Sequence, residues 1–388
     1  MTSRTAKTFT PPVMEAYGWL IDKNFSDIPL INVSQAAPVD PPPAPMLSHM
    51  AAVLQDDDTH IYGPVLGMPA LRSEVSKQWS AAYAGTILPA QVGITSGCNQ
   101  AFSAAIAMLC GENDEVLLPV PFYFNHKMWL DMSGVKAVSL PCSGNMVPSP
   151  NDASALITPR TRAIILVTPN NPCGVEYPPE VIMAFYEIAK SHGIALIIDE
   201  TYRDFHSQLG APHALFQQLD WDNTLVHLYS FSKAYRMTGH RVGAIVAGEA
   251  RMLEIEKFLD TVSICANQLG QKAALWGMQN LDDWLANERR VILARRQAIL
   301  ENFPNLAAKG WELLGLGAYF AYLKHPFAMA SDRLTKNLVD DASVLALPGT
   351  MFVPQGDESG KSQIRIAFAN IDTAGIAVLF DRLANVTY

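Results

Sequence analysis

The 388 residues are 49% hydrophobic and 17% charged, enough apolar chain for two cores or for one large core with a smaller one beside it. A formal charge of −9, with no basic cluster of five or more residues, argues against a nucleic-acid groove or an anionic membrane as partner. The five cysteines (Cys98, Cys110, Cys142, Cys173 and Cys265) include no Cys-x-x-Cys pair, which fits small buried residues in a reducing compartment rather than a disulfide framework or a zinc site.

Residues 1–12 are polar and lack the apolar centre of a signal peptide, and no run reaches the roughly 18–20 apolar residues of a membrane span. A soluble, cytoplasmic protein is expected. Val13 to Ile21 reads as a short amphipathic helix and Ile31 to Ser34 as a brief strand. Prolines crowd Pro38 to Pro45 and forbid regular helix or central strand there, so this stretch is expected to cross from a small N-terminal portion to the main body.

From Met46 the chain alternates. Pro69 to Tyr83 has Pro in its first turn and Leu71, Val75 and Trp79 at helical spacing. Asn99 to Cys110 is a second helix, entered from Ile94-Thr95-Ser96-Gly97. Strands are expected over 115–120, 136–140, 162–168, 194–198, 224–229 and 242–247, with a helix over 179–191. Near-continuous Ile/Leu/Val strands separated by helices indicate a mostly parallel sheet covered on both faces. The connection between the last two strands is too short for a helical crossover, so one of them should run antiparallel. After Gly248 helices dominate (251–261, 267–278 and a long one over 283–302), followed by strands at 318–323 and 364–368 and helices near 331–341 and 373–383. The resulting organisation is α/β, with an N-terminal segment (1–45) contributing to a small domain, a large domain (46–280) and a C-terminal small domain (281–388).

In a parallel sheet the ligand crevice lies beyond the carboxyl ends of the strands. Three strands end on polar residues: Pro169-Asn170-Asn171-Pro172-Cys173-Gly174, then Asp199-Glu200-Thr201-Tyr202, then Ser230-Phe231-Ser232-Lys233. Ser96-Gly97-Cys98-Asn99 opens a helix, where free N–H groups suit an anion. Each element alone has a plainer meaning: a turn, a cap, or a basic loop. Together they supply an amine at a sheet mouth, an acid, a phenol, an amide and, with Arg241, an anion seat. Those groups fit pyridoxal 5′-phosphate (PLP), whose enzymes pair a Schiff-base lysine with a carboxylate on the pyridinium nitrogen.

From about Ile31 to Phe380 the chain resembles the class I/II aminotransferases, the aspartate aminotransferase-like group of fold-type I PLP enzymes. The resemblance rests on Tyr62-Gly-Pro-x-x-Gly67-x-Pro-x-Leu-Arg72, Ser96-Gly97, Pro121-Phe122-Tyr123, Asn171-Pro-x-Gly174, Asp199-x-x-Tyr202, Ser230-x-Ser-Lys233 with Arg241, and Arg365 on a late strand. It implies that Lys233 carries PLP and moves the substrate proton, and that Asp199 keeps the pyridine nitrogen protonated. It implies that Asn171 and Tyr202 bond the phenolic oxygen and that Tyr123 stacks on the ring. Gly97, Cys98 and Asn99 through their N–H groups, with Ser230 and Arg241, would hold the phosphate. Tyr62 would reach the phosphate in a neighbouring subunit, implying a homodimer with shared sites. Arg365 would take the substrate α-carboxylate as a bidentate pair, a reading that its place in an apolar strand supports, because a buried cation needs an anion.

The implied activity is ping-pong exchange of an amino group between an L-amino acid and a 2-oxo acid. A carbon–sulfur β-lyase on the same fold would begin with the same proton removal, and a PLP-binding regulatory module is a further alternative disfavoured by the short, acidic N-terminal portion. Within Ser230–Gly243, Gly239 and Gly243 are expected to serve backbone shape. The chain departs from the family at Gln35-Ala36-Ala37-Pro38, where a glycine is usual; the Ala36 methyl would narrow the substrate side of the pocket. No cation for a second substrate carboxylate can be assigned. Tyr17 and Trp19 are candidates for covering the pocket, although packing of an amphipathic helix is the favoured explanation.

Overall fold

The computed structural model describes residues 3–388. The N-terminal part contains α1 (Pro12–Gly18), β1 (Ile31–Asn32), α2 (Ala44–Val53) and α3 (Pro69–Ala82). Next come β2 (Val92–Thr95), α4 (Cys98–Leu109), β3 (Glu115–Val120), α5 (Phe124–Ser133), β4 (Lys136–Pro141), α6 (Pro150–Leu156), β5 (Thr161–Val167), α7 (Pro179–Ser191) and β6 (Ala195–Asp199). They are followed by α8 (Trp221–Thr224), β7 (Leu225–Ser230), α9 (Phe231–Ala234), β8 (Gly243–Val246), α10 (Glu249–Ser263) and α11 (Gln268–Asn280). The last part holds α12 (Asp282–Ala307), β9 (Glu312–Gly317), β10 (Phe320–Lys324), α13 (Ser331–Ala342), β11 (Val344–Leu345), β12 (Leu347–Pro348), β13 (Gln363–Ala367) and α14 (Thr373–Asn385).

Seven strands form one sheet in the order β2-β8-β7-β6-β5-β3-β4. Neighbours are parallel except that β8 runs against both β2 and β7. The expected antiparallel member is therefore β8. Side chains alternate across the sheet: Ile164, Leu166, Leu196 and Ile198 enter one core, while Ile165, Val167, Ala195 and Ile197 enter another on the opposite face. Burial on both faces is why these strands read as continuous apolar runs rather than as an alternating pattern.

A second, antiparallel sheet has the order β12-β13-β10-β9, and β1 pairs with β11 in parallel. That pairing places Ile31 opposite Val344 and ties the N-terminal piece to the C-terminal part. Val33 continues the link, its carbonyl accepting from the Ala367 N–H at 2.9 Å. Arg365 sits in central strand β13 between Tyr322 and Leu347.

Several elements had no clear sequence signal. β2 had been read only as the entry to a helix; its four residues are too few to show a period. β11 and β12 have two residues each, and α2, for which no helix is expected from the sequence, begins with Ala44 and Pro45 inside the proline-rich region. Proline is well tolerated at a helix start, which is why the helix can begin there.

Candidate active site

The reversed direction of β8 organises the site. Thr95, Gly243 and Ser230 lie side by side across β2, β8 and β7. The ends of β2 and β7 therefore meet the beginning of β8, and Arg241, two residues before that strand, arrives beside the start of α4. Gly97 has φ +87°, a conformation that strongly favours glycine, and a Cβ there would stand 2.1 Å from Arg241 Nη2. A Cβ on Gly243 would stand 2.6 Å from the Gly97 carbonyl carbon. These two glycines let a guanidinium, a helix N-terminus and a strand converge. Gly239, by contrast, has open space around it and no left-handed φ, so the expectation that it shapes the backbone is not met.

The convergence makes an anion seat. The N–H groups of Cys98 and Asn99 begin α4 and have no carbonyl a turn earlier to bond. Arg241 donates through Nη1 to Ser232 Oγ (3.2 Å) and to the Thr238 carbonyl (3.0 Å). Ser230 caps α9, its Oγ accepting from the Ser232 N–H at 3.2 Å.

Lys233 lies on α9, one turn beyond β7, and its Nζ donates to the Ala36 carbonyl at 2.5 Å. Burial, then the charges of Arg241 and Arg365, push its pKa from 10.5 down to about 8. The side chain is thus poised to lose its proton near neutrality, as a nucleophilic amine requires. Ala36, the residue that departs from the family pattern, both borders the cavity and anchors this amine.

Asp199 ends β6, with 3% of its surface exposed. Burial alone would raise its pKa, but the hydrogen bond and charge of His126, followed by Thr201, more than offset this and hold it below the usual carboxylate value. His126 Nε2 is 3.2 Å from Asp199 Oδ2, and the ring stacks on Phe102 at 3.9 Å between centroids. A carboxylate kept ionised inside an apolar pocket can hold a protonated ring nitrogen. The next residue, Glu200, turns to the other face of the sheet, where Tyr83, His227 and His213 surround it. Although burial opposes ionisation, the two histidines hold Glu200 well below the carboxylate range; it belongs to the core and not to the cavity.

Asn171, Tyr202 and Tyr123 complete the inner wall of a cavity of about 440 Å³. Tyr123 Oη donates to Asn99 Oδ1 (3.4 Å) and accepts from Asn125 Nδ2 (2.9 Å). Arg365 reaches the same space from β13. Its Nη1 donates to Asn171 Oδ1 at 2.9 Å, its Nη2 to the Ser34 carbonyl, and its Nε has no partner. Three phenylalanine rings surround the guanidinium, with Phe352 4.9 Å and Phe320 5.1 Å from it and Phe124 at 6.0 Å. Burial pushes the Arg365 pKa down to about 10, so it remains charged at neutral pH. Among the described residues neither Arg365 nor Arg241 forms a salt bridge. Arg365, buried, and Arg241, exposed, thus face one cavity with no carboxylate partner of their own, and this leaves a place for two anionic groups of a ligand.

The structure therefore gathers Gly97, Cys98, Asn99, Tyr123, Asn171, Asp199, Tyr202, Ser230, Lys233, Arg241, Arg365 and Ala36 around one space, Gly97 through its backbone turn and the others as lining. Tyr62 does not join them; it is 76% exposed and outside the cavity of its own chain. Tyr17 lines the cavity, whereas Trp19 packs into a neighbouring apolar cluster. Sequence reasoning missed His126 and Thr201. His126 follows Tyr123 by three residues at the start of α5, a spacing that would have placed both on one helix face. Ser232 is legible as one of two hydroxyls beside Lys233 that suit a phosphate with Arg241, whereas Thr201 carried no signal beyond its position after Asp199.

The donor set fits PLP on these observations: an anion seat that a Cβ at Gly97 would close, a poised amine, and a buried ionised carboxylate opposite it. Comparison with known proteins agrees. Residues 25–383 match the family described as aminotransferase class I and II. An aspartate aminotransferase of Pyrococcus horikoshii is 29% identical over 81% of this chain and 80% of its own length. An aromatic aminotransferase of Arabidopsis thaliana is 28% identical over 79% of this chain and 78% of its own. In fold, a single mutant of Thermus thermophilus aspartate aminotransferase superposes with a TM-score of 0.89 at 21% identity, covering 100% of this chain and 99% of that one. Because the family match spans nearly the whole chain and all three sheets described above, the chain belongs to the class I and II aminotransferases, PLP enzymes that exchange an amino group between an amino acid and a 2-oxo acid.

Proposed function

We propose that Lys233 is the cofactor-bearing and proton-moving residue of this aminotransferase, with L-amino acids as amino donors in a ping-pong exchange. The observation that carries the reading is the convergence, at one cavity, of a lysine with pKa about 8 and two arginines without carboxylate partners. When bound, PLP supplies an electron sink for the bond-breaking at the substrate Cα. Asp199, held ionised by His126 and Thr201, would keep the ring nitrogen protonated. Asn171 and Tyr202 would hold the phenolic oxygen, and Tyr123 would cover the ring. Arg241, Ser230 and the N–H groups of Cys98 and Asn99 would hold the phosphate, whereas the Gly97 N–H, expected to join them, already donates to the Thr95 carbonyl at 2.8 Å. Arg365 would take the substrate carboxylate and fix the Cα near Lys233, whose neutral amine, once free of the cofactor, would accept the Cα proton.

The same proposal divides the chain into an N-terminal segment to residue 45, a large domain over 46–280 and a small domain from 281. The pairing of β1 with β11 supports joining the first and last parts. It also makes the enzyme a homodimer in which Tyr62, exposed in one chain, reaches the phosphate held by the other. A cytoplasmic setting is supported by five free cysteines. The test is borohydride trapping of the holoenzyme followed by peptide mapping. Lys233 should carry the reduced cofactor; a label on any other lysine contradicts the assignment.

A further inference from the structure

Beyond the groups given roles above, the cavity has an outer wall. It is built by Val13, Met14 and Tyr17 of α1, by Ala36, and by Phe124 at the start of α5. Met14 is 67% exposed and Tyr17 36%, so apolar surface is left uncovered at the mouth of a polar site. The helix is not loosely placed: Tyr17 Oη donates to Gln35 Oε1 at 3.1 Å, which ties α1 to the segment carrying Ser34 and Ala36. Tyr123 and Phe124 are a tilted ring pair 5.3 Å apart, within the range aromatic side chains favour.

The charges of this wall are equally informative. Its polar members, Gln35, Asn99 and Asn125, are neutral. The cations lining the cavity are Lys233, Arg241 and Arg365, and each already has a task. Lys127, on α5, is committed to Asp131 at 2.5 Å, and Arg4 donates to the Ser133 carbonyl at 2.8 Å. The segment that a second copy would bring with Tyr62, residues 55–64, has three aspartates and no lysine or arginine. A carboxylate on the substrate side chain would meet no cation from these sources, and burying it unpaired is strongly unfavourable.

We propose that this wall is the side-chain subsite and selects L-amino acids with a bulky uncharged side chain, aromatic ones foremost, over aspartate and glutamate, with Met14 and Tyr17 as specificity-determining residues. The proposal rests on the aminotransferase reading of Lys233. An aromatic side chain would cover the exposed faces of Met14 and Tyr17 and remove apolar surface from water on both sides of the contact.

The test is a half-reaction screen in which PLP-loaded enzyme is mixed with phenylalanine, tyrosine, methionine, leucine, aspartate or glutamate, and bleaching of the cofactor absorbance is timed. The expected kcat/KM for phenylalanine exceeds that for aspartate and glutamate by roughly 100-fold or more. Comparable or faster bleaching by aspartate or glutamate overturns the proposal and leaves the aminotransferase reading intact. No bleaching by any amino acid overturns both. Met14→Arg, at a position 67% exposed and checked for folding by circular dichroism, should move the aspartate-to-phenylalanine ratio toward aspartate by about 10-fold. An unchanged ratio removes Met14 from the subsite, a result that a merely structural role would produce.

Discussion

Replacing Arg365 by methionine separates the cost of a buried charge from its use. Burial lowers the arginine pKa from 12.5 to about 10. The folded value lies below the unfolded one, so at every pH below about 10 the protonated side chain favours the unfolded chain. At about 1.4 kcal/mol per pH unit, holding this charge inside costs about 3 kcal/mol of stability. Methionine fills similar apolar space and removes that cost, while leaving the Ser34 carbonyl and Asn171 Oδ1 without a donor for about 1–3 kcal/mol. The two effects nearly cancel, so Arg365→Met should unfold within about 2 kcal/mol of the parent in urea. Activity should behave differently. Two charge-assisted hydrogen bonds to the substrate carboxylate, at about 1.5–3 kcal/mol each, correspond to a loss of roughly 10²- to 10⁴-fold in kcat/KM. Arg365→Lys, which keeps the charge but not the fork, should fall between. Equilibrium unfolding and single-turnover kinetics on the same preparations decide the matter. A methionine variant that is strongly destabilised yet keeps kcat/KM within threefold would refute the ligand role and make Arg365 a structural residue.

Three other perturbations are diagnostic. The rate at which apoenzyme takes up PLP should rise with pH and level off above about 8, since Lys233 must be neutral to attack; a midpoint near 10.5 would mean that the pocket does not perturb the amine. Gly97→Ala places a methyl against Arg241 at a left-handed φ and should weaken PLP retention at least about 10-fold on dialysis, with the purified apo-form still folded by circular dichroism; unchanged retention would move the phosphate elsewhere. His126→Leu removes the main group opposing the effect of burial on Asp199, so the Asp199 pKa should rise and the acid limb of the kcat/KM profile shift to higher pH; an unmoved limb would detach His126 from the carboxylate.

Much of the inner site was legible because a parallel sheet forces polar residues after its strands to one edge. Asn171, Asp199 and Ser230 follow β5, end β6 and end β7, and the mostly parallel registers bring them together without any appeal to long-range folding detail. Arg241 was placed by motif, but the reason it arrives there is the reversal of β8, which the short connection after Lys233 had already indicated. Arg365 was visible as an isolated charge in an apolar strand. His126 was hidden because its partner is 73 residues away and its helix buries one face of mixed character. The outer wall was legible only in part, through Tyr17 and Ala36, for a different reason. Met14 and Tyr17 gain their place from β1 pairing with β11 and from the Tyr17–Gln35 hydrogen bond, neither of which leaves a periodic trace in the sequence. Gly239 shows the opposite error, since a glycine in a functional loop need not be there for its backbone freedom.

The central claim is that the protein transfers an amino group through Lys233 rather than eliminating from its substrate. The most direct measurement mixes holoenzyme with excess S-benzyl-L-cysteine, whose thiolate could leave from Cβ, and no acceptor, then quantifies the oxo acid, free thiol and free ammonia released per active site. Amino-group transfer gives one equivalent of 2-oxo acid, no ammonia, loss of the cofactor's visible absorbance, and recovery of that absorbance when a 2-oxo acid is added. Continuous release of ammonia, or an equal response from Lys233→Ala, would contradict it.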